Sequence, residues 1–497
     1  MKRILRLSSF KKHVLLIFAA IFFLTLGVFI SSSWAAFNST LPDNTVYSVQ
    51  EFESGFHNGN TNAWGSDDEL KIARGQATFM SDGTFSVSFP SKSNLNRRIG
   101  TDQNGHVTFS TTPNSTTDSV TGTYAISSDG TVTLTVSENG GQMTVTGNLS
   151  EDGQMFTYGI HDYSNSDMSA SCTIGVGVKK GSGFSSTLPD NTVYTVQEFE
   201  SGFQGGNTDA WGNTDELRIG EGQATFMSDG TFSVSFPSES TLARYIGEDQ
   251  NGGITFSTTS GSHSTNVNGT YTISADGSVT LNVADSGGPT TVSGNLSEDG
   301  KNFIFSLNDY SSTDMSASIT LGMGVKKGSG FSSTLPDNTA YALQQFESGF
   351  RNGNTNAWGN TDQLLTGKGL ATFMSNGTFT ISFPSESTLE RYVGNDQVGG
   401  ITFSTTPGSD STTVSGTYSV SSDGSVTLNV ADSGSPTTVS GYLSEDGQSF
   451  TFGFGDYNST DMKASFTFGV GVKTTAGASS TKNKSLSGIL PLLLEDN

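Results

Sequence analysis

Apolar and polar residues alternate through most of the chain after residue 35, a pattern typical of β-strands that bury one face. In residues 168–178 the apolar positions are Ala170, Cys172, Ile174, Val176 and Val178. We expect the other strands of this part of the chain near 45–56, 69–80, 84–90, 105–112, 120–126, 132–136, 143–149 and 154–161. The pattern therefore predicts about nine strands before residue 183.

Asx-Gly pairs lie between several of these predicted strands. They occur at Asp82-Gly83, Asp129-Gly130 and Asp152-Gly153. Both residue types tolerate the positive φ of a tight hairpin turn, so each pair predicts a hairpin. Asn376 stands where a later copy of the pattern would repeat Asp82, and Asn-Gly suits the same turn. We therefore interpret these aspartates as turn residues.

The whole pattern occurs three times with a period of 147 residues and no insertion, as the positions of Trp64, Trp211 and Trp358 show. We predict a signal peptide at 1–35, β-domains at 37–183, 184–330 and 331–477, and a C-terminal tail at 478–497. Each unit is long enough to bury its own core. The joints at 179–189 and 326–336 are short and polar, which favours three separate beads on a string.

A meander of eight to ten antiparallel strands has to protect its edges from pairing with other chains. We therefore predict an all-β fold in which each repeat closes as an up-and-down β-barrel. The alternatives are β-sandwiches, or one propeller-like assembly of all three repeats. Uneven spacing of the predicted turns argues against equal propeller blades.

The N-terminal segment differs from the rest of the chain. Basic residues precede an uncharged, mostly apolar run at 14–30, and Ser33 and Ala35 provide small residues for a cleavage site. This arrangement predicts a secretory signal peptide and a secreted, periplasmic or cell-surface protein. The alternative is an uncleaved N-terminal membrane anchor, which would be the protein's one contact with a membrane.

The net charge restricts the kinds of partner that we expect, and the alignment of the one cysteine indicates its role. After residue 35 the chain carries 19 basic and 47 acidic residues, a net charge of −28. Such a surface repels phosphate backbones, so we expect no nucleic-acid partner. The one cysteine, Cys172, aligns with Ile319 and Phe466 and is expected to be a small core residue.

The three copies also test candidate chemistry, because a site needed in every copy should keep its reactive groups. His57 aligns with Gln204 and Arg351, and the other two histidines of the first repeat are likewise replaced, which excludes a repeated histidine-based catalytic or metal site. Recurring acids such as Glu53 and Asp162 could pair for glycoside hydrolysis, but several of the recurring acids occupy predicted turns. We therefore predict a protein that is not an enzyme and has no required cofactor.

A loop that contains the single Trp of each repeat is the first candidate site. An indole ring can stack on a sugar while neighbouring amides bond its hydroxyl groups, and the same oxygens could hold Ca²⁺. The structural alternative is a Trp that plugs the barrel end among polar turns. The predicted ligand-binding residues are Asn60, Trp64, Asp68, Asn207, Trp211, Asp215, Asn354, Trp358 and Asp362.

A second loop carries two aspartates five residues apart in each repeat. It is a weak Ca²⁺ candidate because it lacks the order of an EF-hand, and a hairpin with Asx turns is the alternative. The predicted metal ligands are Asp162, Asp167, Asp309, Asp314, Asp456 and Asp461. A third recurring feature, Arg97 with Asp102, is interpreted as an ion pair across a loop.

Three functional hypotheses remain. The first is a multivalent binding protein for glycan-like ligands, such as a polysaccharide or another cell-surface component, in which three copies raise avidity. The second is a structural or adhesin-like surface array without a small ligand. The third is a barrel that carries an apolar ligand in its lumen.

Overall fold

The computed structural model describes residues 37–57, 67–98, 108–113, 118–138, 141–164, 169–204, 214–246, 254–284, 290–311, 316–351, 361–393, 401–431, 437–458 and 463–474. The predicted signal peptide and C-terminal tail lie outside these ranges. No helix occurs in the described ranges, and accordingly none has the length and apolar content needed to cross a bilayer.

Twenty-five antiparallel strands follow the period of the sequence. The first repeat contains β1 (Thr45–His57), β2 (Asp67–Phe79), β3 (Thr84–Arg98), β4 (Thr108–Pro113), β5 (Asp118–Ile126), β6 (Thr131–Glu138), β7 (Gly141–Leu149), β8 (Met155–Ser164) and β9 (Ser169–Lys179). The second contains β10 (Thr192–Gln204), β11 (Thr214–Phe226), β12 (Thr231–Ile246), β13 (Ile254–Ile273), β14 (Ser278–Val283), β15 (Thr290–Leu296), β16 (Asn302–Ser311) and β17 (Ser316–Lys326). The third contains β18 (Thr339–Arg351), β19 (Thr361–Phe373), β20 (Thr378–Val393), β21 (Ile401–Val420), β22 (Ser425–Val430), β23 (Thr437–Leu443), β24 (Ser449–Asn458) and β25 (Lys463–Thr474).

Each repeat closes into an antiparallel barrel of eight strands, as predicted. The first strand of each repeat pairs with both the second and the last, which closes the ring of hydrogen bonds. In the first repeat β4 and β5 both pair with β3 and together replace the single long strand β13 or β21. We call these barrels 1, 2 and 3.

The Asx-Gly pairs lie in hairpin turns, as predicted, but only the glycine of each pair has a positive φ. Gly83 and Gly377 adopt φ values of 84° and 81°, a left-handed conformation that glycine adopts without steric cost. The Asp82 side chain accepts a hydrogen bond from the Thr84 backbone at 2.9 Å, and Asn376 accepts the equivalent bond from Thr378 at 3.0 Å. Charge is therefore unnecessary at this position, and the aspartate is a turn residue.

The three barrels are not separate beads, which corrects the expectation from their polar joints. The described residues from Asn38 to Thr474 form one compact unit, and a single apolar cluster contains side chains from all three barrels. Phe52, Phe199 and Phe346 meet at its centre, with ring centroids 5.2 to 5.5 Å apart. The barrels therefore surround a common pseudo-threefold axis.

The apolar face of β9 lines this shared cluster. Ala170, Cys172, Ile174 and Val176 belong to the cluster and not to the lumen of barrel 1. The opposite face carries Gly175, where an added Cβ would lie 2.2 Å from the Tyr158 ring, so the aromatic side chain fills the lumen over the glycine. Cys172 is fully buried, which confirms that it is a core residue.

The same backbone hydrogen bond joins each barrel to the next. Glu298 donates to the Lys179 carbonyl at 2.8 Å, Glu445 donates to that of Lys326 at 3.0 Å, and Glu151 donates to that of Lys473 at 2.9 Å. The third bond connects the last barrel to the first, so the arrangement is a closed ring.

One equivalent position makes a different side-chain contact at each interface. Arg74 of barrel 1 donates to Ser306 of barrel 2 at 2.7 Å. Glu221 of barrel 2 accepts from the Tyr442 hydroxyl of barrel 3 at 3.1 Å. Lys368 of barrel 3 donates to a barrel 1 backbone carbonyl, that of residue 147, at 3.4 Å. The three interfaces are therefore chemically distinct despite the near-identity of the repeats.

Candidate functional site

Both candidate loops leave barrel 1 from the same end, which we call the loop end. β1 ends at His57 and β2 begins at Asp67, and these two residues face each other across the strand pair. β8 ends at Ser164 and β9 begins beside it, while β9 also pairs with β1. The strand ends that flank the two candidate loops therefore adjoin, and the tight Asx-Gly turns lie at the opposite end, the turn end.

A row of outward-facing residues crosses the loop end of each barrel. In barrel 1 it consists of Phe56, Asp68 and Arg97, which lie directly opposite one another on β1, β2 and β3. Arg97 donates through Nε to Asp68 at 2.9 Å and through another guanidinium nitrogen to Asp215 of barrel 2. Its guanidinium also lies 4.3 Å from the centre of the Phe203 ring.

The same contacts recur around the axis. Arg244 binds Asp215 and Asp362, and Arg391 binds Asp362 and Asp68. The result is a closed circle of three arginines and three aspartates, the charge ring, whose side chains are at most 6% exposed. Each arginine is bound to an aspartate from its own barrel and one from the next.

Electrostatics in the charge ring favour the charged forms. Burial by itself raises the pKa of Asp68, but Arg391 and Arg97 outweigh it and hold the pKa well below its usual range. Burial likewise opposes the charge of Arg97, while Asp215 and Asp68 raise its pKa. Because removing one member would leave a buried charge without its full set of partners, the ring is expected to act as a unit.

The charge ring surrounds a cavity of about 40 Å³ on the axis, lined by the equivalent loop-end residues of all three barrels. A cavity of this size holds a few water molecules at most, because a single water needs about 10–15 Å³ by the same measure. No sugar ring fits. The aspartates of the charge ring are Asp68, Asp215 and Asp362, which were predicted to bind a ligand. Their carboxylate oxygens bind arginine side chains instead.

The remaining residues of the first candidate loop lie outside the described ranges. They are Asn60, Trp64, Asn207, Trp211, Asn354 and Trp358. Their ligand-binding role stays a prediction. The pairing of Arg97 with Asp102 stays a prediction, because Asp102 lies outside the described ranges; within them Arg97 binds Asp68 and Asp215. The sequence signal for the contact with Asp68 is that Asp68 and Arg97 both recur in all three repeats.

The inner faces of the strands place a second set of recurring residues at the loop end, inside each barrel mouth. Glu53 recurs as Glu200 and Glu347, and Asp162 recurs as Asp309 and Asp456. Asp162 lies opposite Ser171, one step along the same inner face from Thr173, which lies opposite Glu53. The second candidate loop thus begins at a carboxylate that faces the mouth.

Cations inside the mouth differ between barrels. In barrel 1 Lys71 lies 2.9 Å from a Glu69 oxygen and 3.7 Å from a Glu53 oxygen. In barrel 2 Arg218 takes the same place, 2.5 Å from Glu216 and 3.7 Å from Glu200. In barrel 3 the equivalent residue is Leu365. The mouths therefore share a carboxylate pattern but not a charge balance.

In the mouth of barrel 2, burial and the neighbouring carboxylates change the pKa of Glu200. Burial raises the pKa of Glu200, Arg218 opposes that shift, and the nearby carboxylates of Glu216 and Asp309 add to it. The partner aspartates of the second candidate loop, Asp167, Asp314 and Asp461, lie outside the described ranges, so Ca²⁺ binding there stays a prediction.

Another acidic cluster was missed because it exists only in the assembled ring. Asp152, Asp299 and Asp446 of the three Asp-Gly turns place carboxylate oxygens within 4.8 Å of one another at the turn end. Lys301 lies 3.3 Å from Asp299 and 2.8 Å from Asp446 and supplies positive charge to the cluster. The sequence identified these residues correctly as turn residues but could not show that they converge.

Below the mouth, the lumen of barrel 1 is filled by apolar and aromatic side chains. Phe79, Phe85 and Phe156 are among the residues around a residual cavity of about 30 Å³. Such a void has room for about two water molecules. The described part of the barrel 1 lumen therefore offers no space for the apolar ligand of the third hypothesis.

Comparison with known proteins adds no family. No protein-family model matches the sequence. No curated protein sequence matches it either.

Among solved structures, the alignments with high coverage include two of transferrin-binding protein B. One, a double mutant from Haemophilus parasuis, is 8% identical with a TM-score of 0.25 and covers 88% of this chain and 78% of its own. The other, from Neisseria meningitidis, is 11% identical with a TM-score of 0.22 at the same coverages. HpuA from Kingella denitrificans, in complex with human haemoglobin, is 12% identical with a TM-score of 0.18, covering 56% of this chain and 94% of its own. Superpositions with scores this low do not establish a shared fold.

Proposed function

We propose that this is an exported, non-enzymatic binding protein that presents three equivalent loop-bearing barrel mouths to one repetitive extracellular ligand. The charge ring is the observation that carries the proposal. Asp68, Asp215 and Asp362 each follow a Trp-bearing loop by a few residues, and all three meet around one axis. The strand ends that flank the three loops are therefore gathered on one face.

This arrangement bears directly on avidity. Separate beads on flexible joints would sample many relative positions, and each would bind almost independently. Fixing three sites around an axis makes the second and third contacts with a repetitive ligand intramolecular, which raises the effective concentration when the spacing matches. The closed hydrogen-bonded ring of barrels supports this geometry.

For the ligand we propose a glycan-like polymer, such as a polysaccharide on a cell surface. The Trp-bearing loop supports this choice, since each repeat has one Trp that is flanked in the sequence by residues with amide and carboxylate side chains. A planar ring next to hydrogen-bonding groups suits a sugar, which has both an apolar face and hydroxyl groups.

The test is a glycan array followed by calorimetric titration of the full chain. Trp64→Ala, Trp211→Ala and Trp358→Ala should each weaken binding to a polymer, and the triple variant should abolish it. A short oligosaccharide reaches only one mouth at a time. Each Trp→Ala substitution should therefore reduce the amount of oligosaccharide bound only in proportion to the number of sites removed. Polymer affinity that stays unchanged in the triple variant would overturn the proposal and leave the surface array in its place.

A further inference from the structure

The lumen of barrel 1 contains a chemical combination that barrels 2 and 3 lack. Glu53, Lys71 and Asn94 lie directly opposite one another on the neighbouring strands β1, β2 and β3. The register places all three side chains on the inner face, since the next inward residue of β1, Glu51, lines the lumen cavity. A carboxyl, an amine and a carboxamide thus form one row inside a closed barrel.

Burial sets this row apart from a surface ion pair. Lys71 is 3% exposed and Glu53 is 8% exposed. The Lys71 amine lies 3.7 Å from a Glu53 oxygen. The Asn94 side-chain oxygen is buried and accepts no hydrogen bond from any described residue. Burying an amide oxygen without a hydrogen-bond donor costs free energy, so its presence at this position needs a reason.

We propose that Lys71 and Asn94 become joined by an intramolecular isopeptide bond, with Glu53 as the group that moves the proton. The Lys71 nitrogen, as the neutral amine, attacks Cγ of Asn94. The new Nζ–Cγ bond forms as the Cγ–Nδ2 bond breaks, and Nδ2 leaves as ammonia. Glu53 accepts a proton from the attacking amine and returns it to the leaving nitrogen. The step needs no oxidant, reductant or further reactant.

Distance and environment both favour this reaction. Side chains directly opposite on antiparallel strands have Cβ atoms about 4.5–5.5 Å apart, which a lysine side chain spans easily. A buried site disfavours both the ammonium and the carboxylate, so transfer of the proton from Lys71 to Glu53 costs less than in water. Burial raises the pKa of Glu53, with Lys71 opposing that shift and Glu69 adding to it.

The other barrels serve as built-in controls. They keep the carboxylate, as Glu200 and Glu347. They replace the lysine with Arg218 and Leu365, and the asparagine with Thr241 and Thr388. Neither barrel can form the bond, although both close in the same way as barrel 1.

The experiment is peptide mapping of the purified full chain after denaturation and digestion with trypsin and a glutamate-specific protease. A modified Lys71 resists trypsin, so the expected product is a branched peptide that joins residues 70–74 to residues 93–97. Its mass should equal the sum of the two peptides less one ammonia. Only linear peptides in the wild-type protein, with trypsin cleaving after Lys71, would overturn the proposal.

Three variants test the roles separately. Lys71→Arg and Asn94→Thr introduce residues that barrel 2 carries at these positions, so the barrel should still close, and both should abolish the branched peptide. Glu53→Gln keeps the shape but cannot accept the proton, and it should leave the linear peptides. A branched peptide at wild-type yield in Glu53→Gln refutes the role of Glu53. Circular dichroism of each variant verifies that loss of the branch does not reflect unfolding.

Discussion

Arg391 of the third barrel donates a hydrogen bond to Asp68 of the first, although the two residues are 323 positions apart in the chain. This contact completes the charge ring and has the same geometry as the contacts between consecutive barrels. It makes the stability of the first barrel depend on the last.

We predict that Arg391→Met destabilises the protein by about 3–5 kcal/mol, because it leaves two buried aspartates with one arginine each. The measurement is equilibrium denaturation followed by tryptophan fluorescence and circular dichroism. The control is Lys179→Ala, which removes an ion pair between partners that are 33% and 45% exposed. Such a pair is worth about 1 kcal/mol or less. Equal effects of the two substitutions would show that the charge ring is no more than a set of surface pairs.

Stability should fall with rising pH because of two carboxyls inside the barrels. Burial raises the pKa of Glu198 to about 8, with Glu200 and Glu239 adding to the shift. Burial likewise raises the pKa of Glu51 to about 7, opposed by the Tyr158 hydrogen bond. A folded-state pKa above the unfolded one means that the stabilisation is present at low pH and is lost as pH rises from about 4.5 through about 8.

Barrel 3 supplies the matched substitution. Gln345 stands at the equivalent position and donates to Glu386 at 2.9 Å, as a protonated glutamate could. Glu198→Gln and Glu51→Gln should each reduce the loss of stability between about pH 4.5 and about pH 8, and the double variant should reduce it most. Thermal melts across this range provide the measurement, with the exposed turn variant Asp82→Asn as control. A double variant with the pH slope of the wild type contradicts the assignment.

Truncation at the pseudo-threefold axis should cost more than truncation at the surface. Phe52 is fully buried against Phe199 and Phe346, so Phe52→Ala should cost about 3–5 kcal/mol. Tyr310 is 43% exposed, and Tyr310→Ala should change stability by about 0.5 kcal/mol or less. Urea denaturation of the full chain compares them. If Phe52→Ala is as mild as the control, the barrels do not share a core.

The turn aspartates give a sharper pair of substitutions. Asp82→Asn should be neutral within about 0.5 kcal/mol, since Asn376 makes the same hydrogen bond. Gly83→Ala should cost about 1–2 kcal/mol, because residue 83 has φ of 84°. The measurement is the melting temperature of each variant. If Asp82→Asn lowers it as much as Gly83→Ala does, the charge of Asp82 has a role beyond the turn.

Local patterns were enough to predict the barrels. Alternation located the strands, Asx-Gly pairs located the hairpins, and the repeat predicted three closed units. These features depend on residues near one another in the chain. They therefore identified Cys172 as a core residue and Asp82 as a turn residue.

The assembly of the barrels could not be predicted in the same way. Alternation shows that Ala170, Cys172 and Ile174 share a face, but it does not show whether that face lines the lumen or the outer wall. The glycine at position 175 on the opposite face was the available signal, since a lumen filled by Tyr158 requires a small residue there. The partners of Arg97 were missed for a related reason, because one of them lies 118 residues away in another barrel.

The closing contact between the last barrel and the first has a consequence for biogenesis. Because the chain is synthesised from its N-terminus, barrel 1 is complete before barrels 2 and 3 exist. At that stage Asp68 lacks Arg391, and the outer walls of β1 and β9 lack the barrels that cover them. Until barrels 2 and 3 have both been made, parts of these apolar walls are exposed to solvent and to other nascent chains, the state in which multidomain proteins misassemble. The distinct contacts of Arg74, Glu221 and Lys368 then favour the pairing of each wall with its correct neighbouring barrel over pairing with the equivalent wall of a different barrel.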